Sequence, residues 1–274
     1  MSAGRKAILV VSFGTSYNDN RRMTIGAIES DIARAFRDWE VRRAFTSKMI
    51  IRKLAERDGE KIDYITEALE RLSSDGFGTV VVQPTHVMNG KEYDDVVDAV
   101  TYHAGSFDRI SIGRPLLTSE SDYDAAVDAF GRSLVKDASD VAGDGVAIVM
   151  MGHGTTHFAN STYSQLHLKL QLSGYPNAYV TTVEGYPSFG DTVKLMEGKG
   201  YTDAVLFPFM LVAGDHANND MAGDDEDSLS SVLSAEGYNV HSIVKGLGEY
   251  PEFRELFVGH VRDAMDALEV TNKE

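Results

Sequence analysis

Near residue 7 the chain reads AILVVSFGTS, and near residue 146 it reads VAIVMMGHGTT. A second pair of segments is alike in the same order: TVVVQPTHVMNGKEYDD from residue 79 and AVLFPFMLVAGDHANND from residue 204. Pro84 matches Pro208, Gly90 matches Gly214, and Glu92 matches His216. A chain that repeats itself in order has to fold twice in a similar way. The 274 residues are about twice the commonest domain size, which agrees with two domains.

Short apolar runs mark the strands. They fall at Ala7–Phe13, Trp39–Phe45, Thr79–Gln83 and Arg109–Ile112, then at Val146–Met151, Ala178–Val183, Ala204–Phe209 and Asn239–Ile243. Helix-period stripes lie between and after them. Ile25, Ile28, Ile32 and Phe36 share one face. So do Tyr123, Val127, Phe130 and Leu134, and so do Phe253, Phe257, Val261 and Leu268. Strands alternating with helices give parallel sheets built from βαβ units. The expectation is an α/β protein of two similar open parallel-sheet domains related by a pseudo-two-fold. The domains are placed at residues 1–125 and 126–274, joined within Thr118–Gly145, with the active site in the cleft between them.

Composition removes several classes. The net charge is −16, whereas a general nucleic-acid binder is basic, so no nucleic-acid partner is expected. With no cysteine, disulfides, thiolate nucleophiles and sulfur-bound metals are excluded, and a metal site must use His, Asp and Glu. No apolar stretch is long enough to span a bilayer, so no membrane partner is expected. The N-terminal MSAGRKAILVVSFGTS reads as a first strand rather than a leader peptide, which makes the cytoplasm the expected location. The oligomeric state stays open, a homo-oligomer included.

In open α/β sheets, ligands bind outside the carboxyl ends of the strands, near the point where strand order reverses. In the second half the first strand runs into Gly152 and His153, the second into Glu184, and the third toward Gly214, Asp215 and His216. If the strand order is 2-1-3, His153, Glu184 and His216 share one sheet edge. Any one of them alone is an ordinary turn residue. Three at equivalent topological positions point to a site. Two imidazoles and a carboxylate suit cobalt, nickel, iron or zinc. The adjacent glycines, Gly154 and Gly185 among them, permit unusual backbone angles and the close approach of a flat ligand.

MGHGTTHFAN, TVEGYPSF and AGDHANNDMAGDDEDS, with SFGTS and THVMNGKEYDD in the first half, resemble the anaerobic-pathway cobalt chelatases of the CbiK type. The resemblance covers essentially the whole chain. It implies a class II chelatase fold of two flavodoxin-like domains. It implies Co2+ as the substrate metal, inserted into the tetrapyrrole sirohydrochlorin during cobalamin synthesis, with no nucleotide and no accessory subunit. It implies metal binding at His153, Glu184 and His216, with His153 as proton acceptor. Some relatives bind haem through an extra histidine in the first half. The segment after Gly90 here reads KEYDD, so neither haem nor export is expected.

Metallation needs a held metal, a bent macrocycle and a base for two N–H protons. Histidine serves as the base because its reference pKa lies near 7. Ser12, Phe13, Gly14 and Thr15 end the first strand and are expected to line the substrate site. Phe13 matches His153 in the repeat and is positioned to stack on the ring. His86 and Glu92 lie after the third strand and are further candidates. For the carboxylate-rich substrate, Arg21, Arg22, Lys48, Arg52 and Arg114 are candidates, each also readable as ordinary surface charge. The run Asp224–Asp227 reads as an exposed helix start, where acids complement the dipole. His103, His167, His241 and His260 read as structural, and His157 as a supporting residue. Insertion of iron or nickel stays an alternative, as does a non-catalytic carrier of metal or tetrapyrrole. The choice between sirohydrochlorin and its reduced precursor is open.

Overall fold

The computed structural model describes residues 4–270. Eight strands form two separate four-stranded sheets. They are β1 (Arg5–Ser12), β2 (Glu40–Phe45), β3 (Phe77–Pro84) and β4 (Arg109–Ile112), then β5 (Ala147–Gly152), β6 (Ala178–Thr182), β7 (Asp203–Pro208) and β8 (Asn239–Ser242). Every pairing is parallel. The orders are β2-β1-β3-β4 and β6-β5-β7-β8, the same twice. The central strands β1 and β5 are buried along almost their whole length, as strands covered by helices on both faces must be.

Contacts divide the chain into two compact units, residues 1–118 with 254–274, and residues 119–253. In the first unit, Ala7, Leu9 and Val11 of β1 pack with Ile65, Leu69 and Leu72 of helix Ile65–Ser74 and with Val96 and Val100 of helix Lys91–His103. In the second, Ala147, Val149 and Met151 of β5 pack with Met196, Leu229 and Leu233. The alternation of these strand residues is the period of two that sends one set of side chains to each face.

The boundary differs from the expected 125/126 division at the C-terminal end. Helix Pro251–Val270 has Phe257, Val261 and Leu268 buried, and from residue 254 onward it belongs to the first unit. Ser111 donates to the Ala264 carbonyl at 2.7 Å, and His260 Nδ1 donates to the Arg114 carbonyl at 3.0 Å. Arg254 pairs with Asp31 at 2.6 Å. A helical stripe says that one face is buried, not which sheet buries it.

Two stripes are also cut. The first helical stripe ends at Ala35, leaving Phe36 as the residue after the helix. Tyr123 to Phe130 lie on helix Glu120–Arg132, and Leu134 opens another helix, Leu134–Ala142. Ser133 stands at the break and its hydroxyl donates to the Ala129 carbonyl at 2.6 Å, a bond that competes with helix continuation. The acidic run Asp224–Asp227 is exposed but lies ahead of its helix, which Ser228 caps by accepting from the Ser231 N–H at 3.1 Å. Among the described residues no helix is long and apolar enough to cross a membrane.

Candidate active site at the ends of β5, β6 and β7

The 2-1-3 order puts the carboxyl ends of β6, β5 and β7 side by side. The parallel pairing runs on past the strands. The Val183 N–H donates to the Gly152 carbonyl at 3.1 Å and the Glu184 N–H to the His153 carbonyl at 2.9 Å. Glu184 is thereby locked to His153 through the backbone. Gly154 has φ +83°, and a Cβ there would stand 2.5 Å from the Gly185 nitrogen. A Cβ on Gly185 would stand 2.3 Å from Asn160 Oδ1. These glycines are needed because two loops touch, so the close approach expected of a ligand is made by backbone.

The same geometry recurs in the first unit. The Thr46 N–H donates to the Ser12 carbonyl at 2.9 Å, and Gly14 has φ +102° with the Phe45 ring 2.6 Å from where its Cβ would be. Phe13 occupies the His153 position of this copy.

His153 and His216 meet. Their ring centres are 4.5 Å apart with planes at 87°. His153 Nδ1 lies 2.9 Å from the Gly154 carbonyl, and His216 Nδ1 lies 2.8 Å from Asp220 Oδ2. A carbonyl and a carboxylate accept, so each Nδ1 donates, and in the neutral ring that leaves the Nε2 lone pair for a metal. Glu184 is exposed. Among the described residues no three imidazoles and carboxylates already stand together as a metal-holding group, so the structure assembles two members of the expected three.

The other expected residues fall in varied places. Phe13 is exposed, at 47%. Ser12 and Thr15 are buried; Ser12 accepts from the Thr85 hydroxyl at 2.8 Å, and Thr15 Oγ1 accepts from the Tyr17 N–H at 3.3 Å. These hydroxyls hold the loop that presents Phe13. Arg21 is buried and committed to the Thr15 carbonyl, Asn18 and Glu60, which takes it out of the set that can hold substrate carboxylates. Arg114 pairs with Asp263 at 2.9 Å. Arg22 pairs with Asp19 in the open, Lys48 sits 4.7 Å from the Tyr64 ring centre, and Arg52 is exposed. Glu92 is exposed in the first turn of its helix. His86 has both ring nitrogens sealed without a hydrogen-bond partner, and burial pushes its pKa down to about 4 against the opposing pull of Glu92 and Asp95.

Of the remaining histidines, His103 and His260 are buried. His167 accepts from the Val180 N–H at 3.1 Å, and burial lowers its pKa. His241 lies 3.1 Å from Asp203. His157 Nδ1 accepts from the Ala159 N–H at 3.2 Å and caps a short turn. Two residues escaped the sequence reading. Asn160 accepts from the Thr155 N–H at 3.0 Å and donates to the Tyr186 carbonyl at 2.8 Å, tying the His153 loop to the Glu184 loop. Asp220 holds His216. Its signal was the four-residue spacing inside GDHANND.

The profile of the family described as cobalt chelatase (CbiK) matches residues 6–266. The sirohydrochlorin cobaltochelatase of Salmonella typhimurium is 40% identical over 262 residues, which are 96% of this chain and 97% of that protein. The sirohydrochlorin cobaltochelatase CbiKC of Nitratidesulfovibrio vulgaris is 30% identical over 97% of this chain and 92% of that protein. Among solved structures, SirB from Bacillus subtilis with Fe3+ superimposes with a TM-score of 0.67 at 17% identity, over 96% of this chain and 97% of that chain. That likeness concerns the fold. Profile and relatives together establish that this chain belongs to the cobalt chelatase (CbiK) family.

Proposed function

We propose that this protein inserts Co2+ into sirohydrochlorin, taking neither nucleotide nor haem. The observation that carries the reading is the pair His153 and His216, ring centres 4.5 Å apart with each Nδ1 engaged by an acceptor, in a chain 40% identical to a sirohydrochlorin cobaltochelatase. Borderline divalent cations such as cobalt suit imidazole nitrogen. Glu184 completes the set: its backbone is fixed beside His153 and its side chain is exposed, so a rotamer change brings the carboxylate in.

The reaction balances simply. Co2+ enters, two pyrrole N–H protons leave, and no electron moves. As the metal passes to the macrocycle, the Nε2 lone pair of His153 is released and takes one proton; water carries the other. In the second unit the touching Gly154 and Gly185 loops hold Glu184 beside His153; in the first, Phe13 is an exposed ring available for stacking. In the first unit, Arg22, Lys48 and Arg52 are exposed cations suited to carboxylates, His86 follows the third strand and Glu92 stands in the first turn of helix Lys91–His103.

An anaerobic absorbance assay with sirohydrochlorin and Co2+, then Fe2+ and Ni2+, tests this. Insertion is expected above the uncatalysed rate and fastest with Co2+. His216→Ala should lose more than the ~10–100-fold typical of removing a residue that only supports a ligand. No acceleration with any metal overturns the reading. Faster insertion of iron or nickel changes the metal and keeps the chemistry.

A further inference from the structure

We propose that Asp220 is a positioning residue that fixes the proton of His216 on Nδ1 and so makes Nε2 the metal-facing atom. The metal's identity rests on the chelatase reading; the hydrogen bond does not. Asp220 Oδ2 stands 2.8 Å from His216 Nδ1, four residues along the chain. His216 stands at the start of a π-helical turn, Ala217–Met221, that contains Asp220, a turn of the kind that recurs at functional sites. Ala217 and Met221 are both fully buried and pin the turn, while His216 and Asp220 stay partly exposed on it. The core therefore sets the relative position of imidazole and carboxylate. Among the described residues, His216 is the hydrogen-bond and ion-pair partner of the Asp220 carboxylate.

The two imidazoles of the pair are consequently unequal. His153 leans on the neutral carbonyl of its neighbour Gly154. His216 leans on a charge. A hydrogen bond to an ionised acceptor is roughly twice as strong as one between neutral groups. A carboxylate behind a ligand imidazole fixes the ring and raises its donor strength. His216 is thus the firm ligand. His153, less tightly held, is the one that lets the metal go. A sequence reading that weighs only the three first ligands treats the histidines as equivalent.

The experiment compares wild type, Asp220→Ala, Asp220→Asn and Asp225→Asn, the last removing an exposed charge from the same segment. Two readouts need no turnover: the Co2+ affinity of the protein alone, and the nitrogen chemical shifts of His216, which report where its proton sits. In Asp220→Ala the Co2+ affinity is expected to fall about 10–100-fold, with the His216 proton redistributed toward Nε2. Asp220→Asn keeps an acceptor without the charge and should retain the Nδ1 proton with a smaller loss. Asp225→Asn should change Co2+ affinity less than about twofold, since exposed charges act weakly at a distance.

In turnover, the KM for Co2+ should rise while the KM for sirohydrochlorin holds. Asp220→Ala placed on His216→Ala should cost nothing further, as expected of two residues acting through one contact. A His216 proton that stays on Nδ1 in Asp220→Ala overturns the proposal. So does a loss that adds in full to His216→Ala, because Asp220 would then act on the turn and not through the imidazole. If wild type binds Co2+ but does not metallate, the chelatase reading fails, and the affinity and proton readouts still decide the role of Asp220.

Discussion

His86 keeps both ring nitrogens where water does not reach, and neither has a partner. Burial disfavours the charged ring and sets its pKa at about 4, while Glu92 and Asp95 pull the other way. The unfolded chain binds the proton near pH 6.5. Stability from this group is therefore complete above pH 6.5 and is lost as the pH falls through 4, because the unfolded state takes up the proton first. At ~1.4 kcal/mol per pKa unit the loss approaches about 3 kcal/mol. Urea midpoints measured from pH 8 to 4 should fall more steeply for wild type than for His86→Leu. At pH 7, His86→Leu should be neutral or slightly stabilising, since an apolar isostere leaves nothing unpaired. A large destabilisation at pH 7 would mean that the ring is satisfied by a group that this geometry does not contain.

Each repeat turns its first strand into a loop through a glycine with positive φ, Gly14 in one copy and Gly154 in the other. Their neighbours differ, and so should their tolerance. An added Cβ on Gly14 meets the fully buried Phe45 ring, whereas on Gly154 it meets the backbone of Glu184 and Gly185. Gly14→Ala should carry the backbone strain of positive φ, about 1–3 kcal/mol, plus the displacement of a buried ring. Gly154→Ala should cost more than that and should also push the Glu184 loop away from His153. Thermal melts and Co2+ affinity of the two variants check this; equal losses would dissociate the touching loops from metal holding.

These loops also mark where sequence is informative. All eight expected strands overlap observed ones; the central ones, such as β1 and β5, announce themselves as continuous apolar runs because both faces are buried. The meeting of His153 with His216 followed from strand order alone. Asn160 did not, because a side chain that ties two loops by hydrogen bonds leaves no periodic trace. Nor did the loss of Arg21 to Glu60 and the Thr15 carbonyl, since a candidate list ranks charges without seeing what already neutralises them.

The first unit is discontinuous: it needs residues 254–270, whose helix buries Phe257 and Val261 completely. Phe257→Ala should destabilise that unit by about 3–5 kcal/mol. The one tryptophan, Trp39, lies in this unit, so its fluorescence reports the loss selectively. Circular dichroism reports both units, and the two transitions should separate in the variant. A single shared transition would show that the units unfold together.

Synthesis runs in one direction, and a nascent chain feels that discontinuity as a delay. Strands β1–β4 leave the ribosome first, yet the helix that closes over them comes only after the whole of residues 119–253. At ~5–20 residues per second the wait is on the order of ten seconds. In that interval the second unit is the one that can finish, while the first stays open along the face awaiting Phe257 and Val261. The part of the protein made first is thus the part completed last, and an open apolar face during translation is what chaperones recognise.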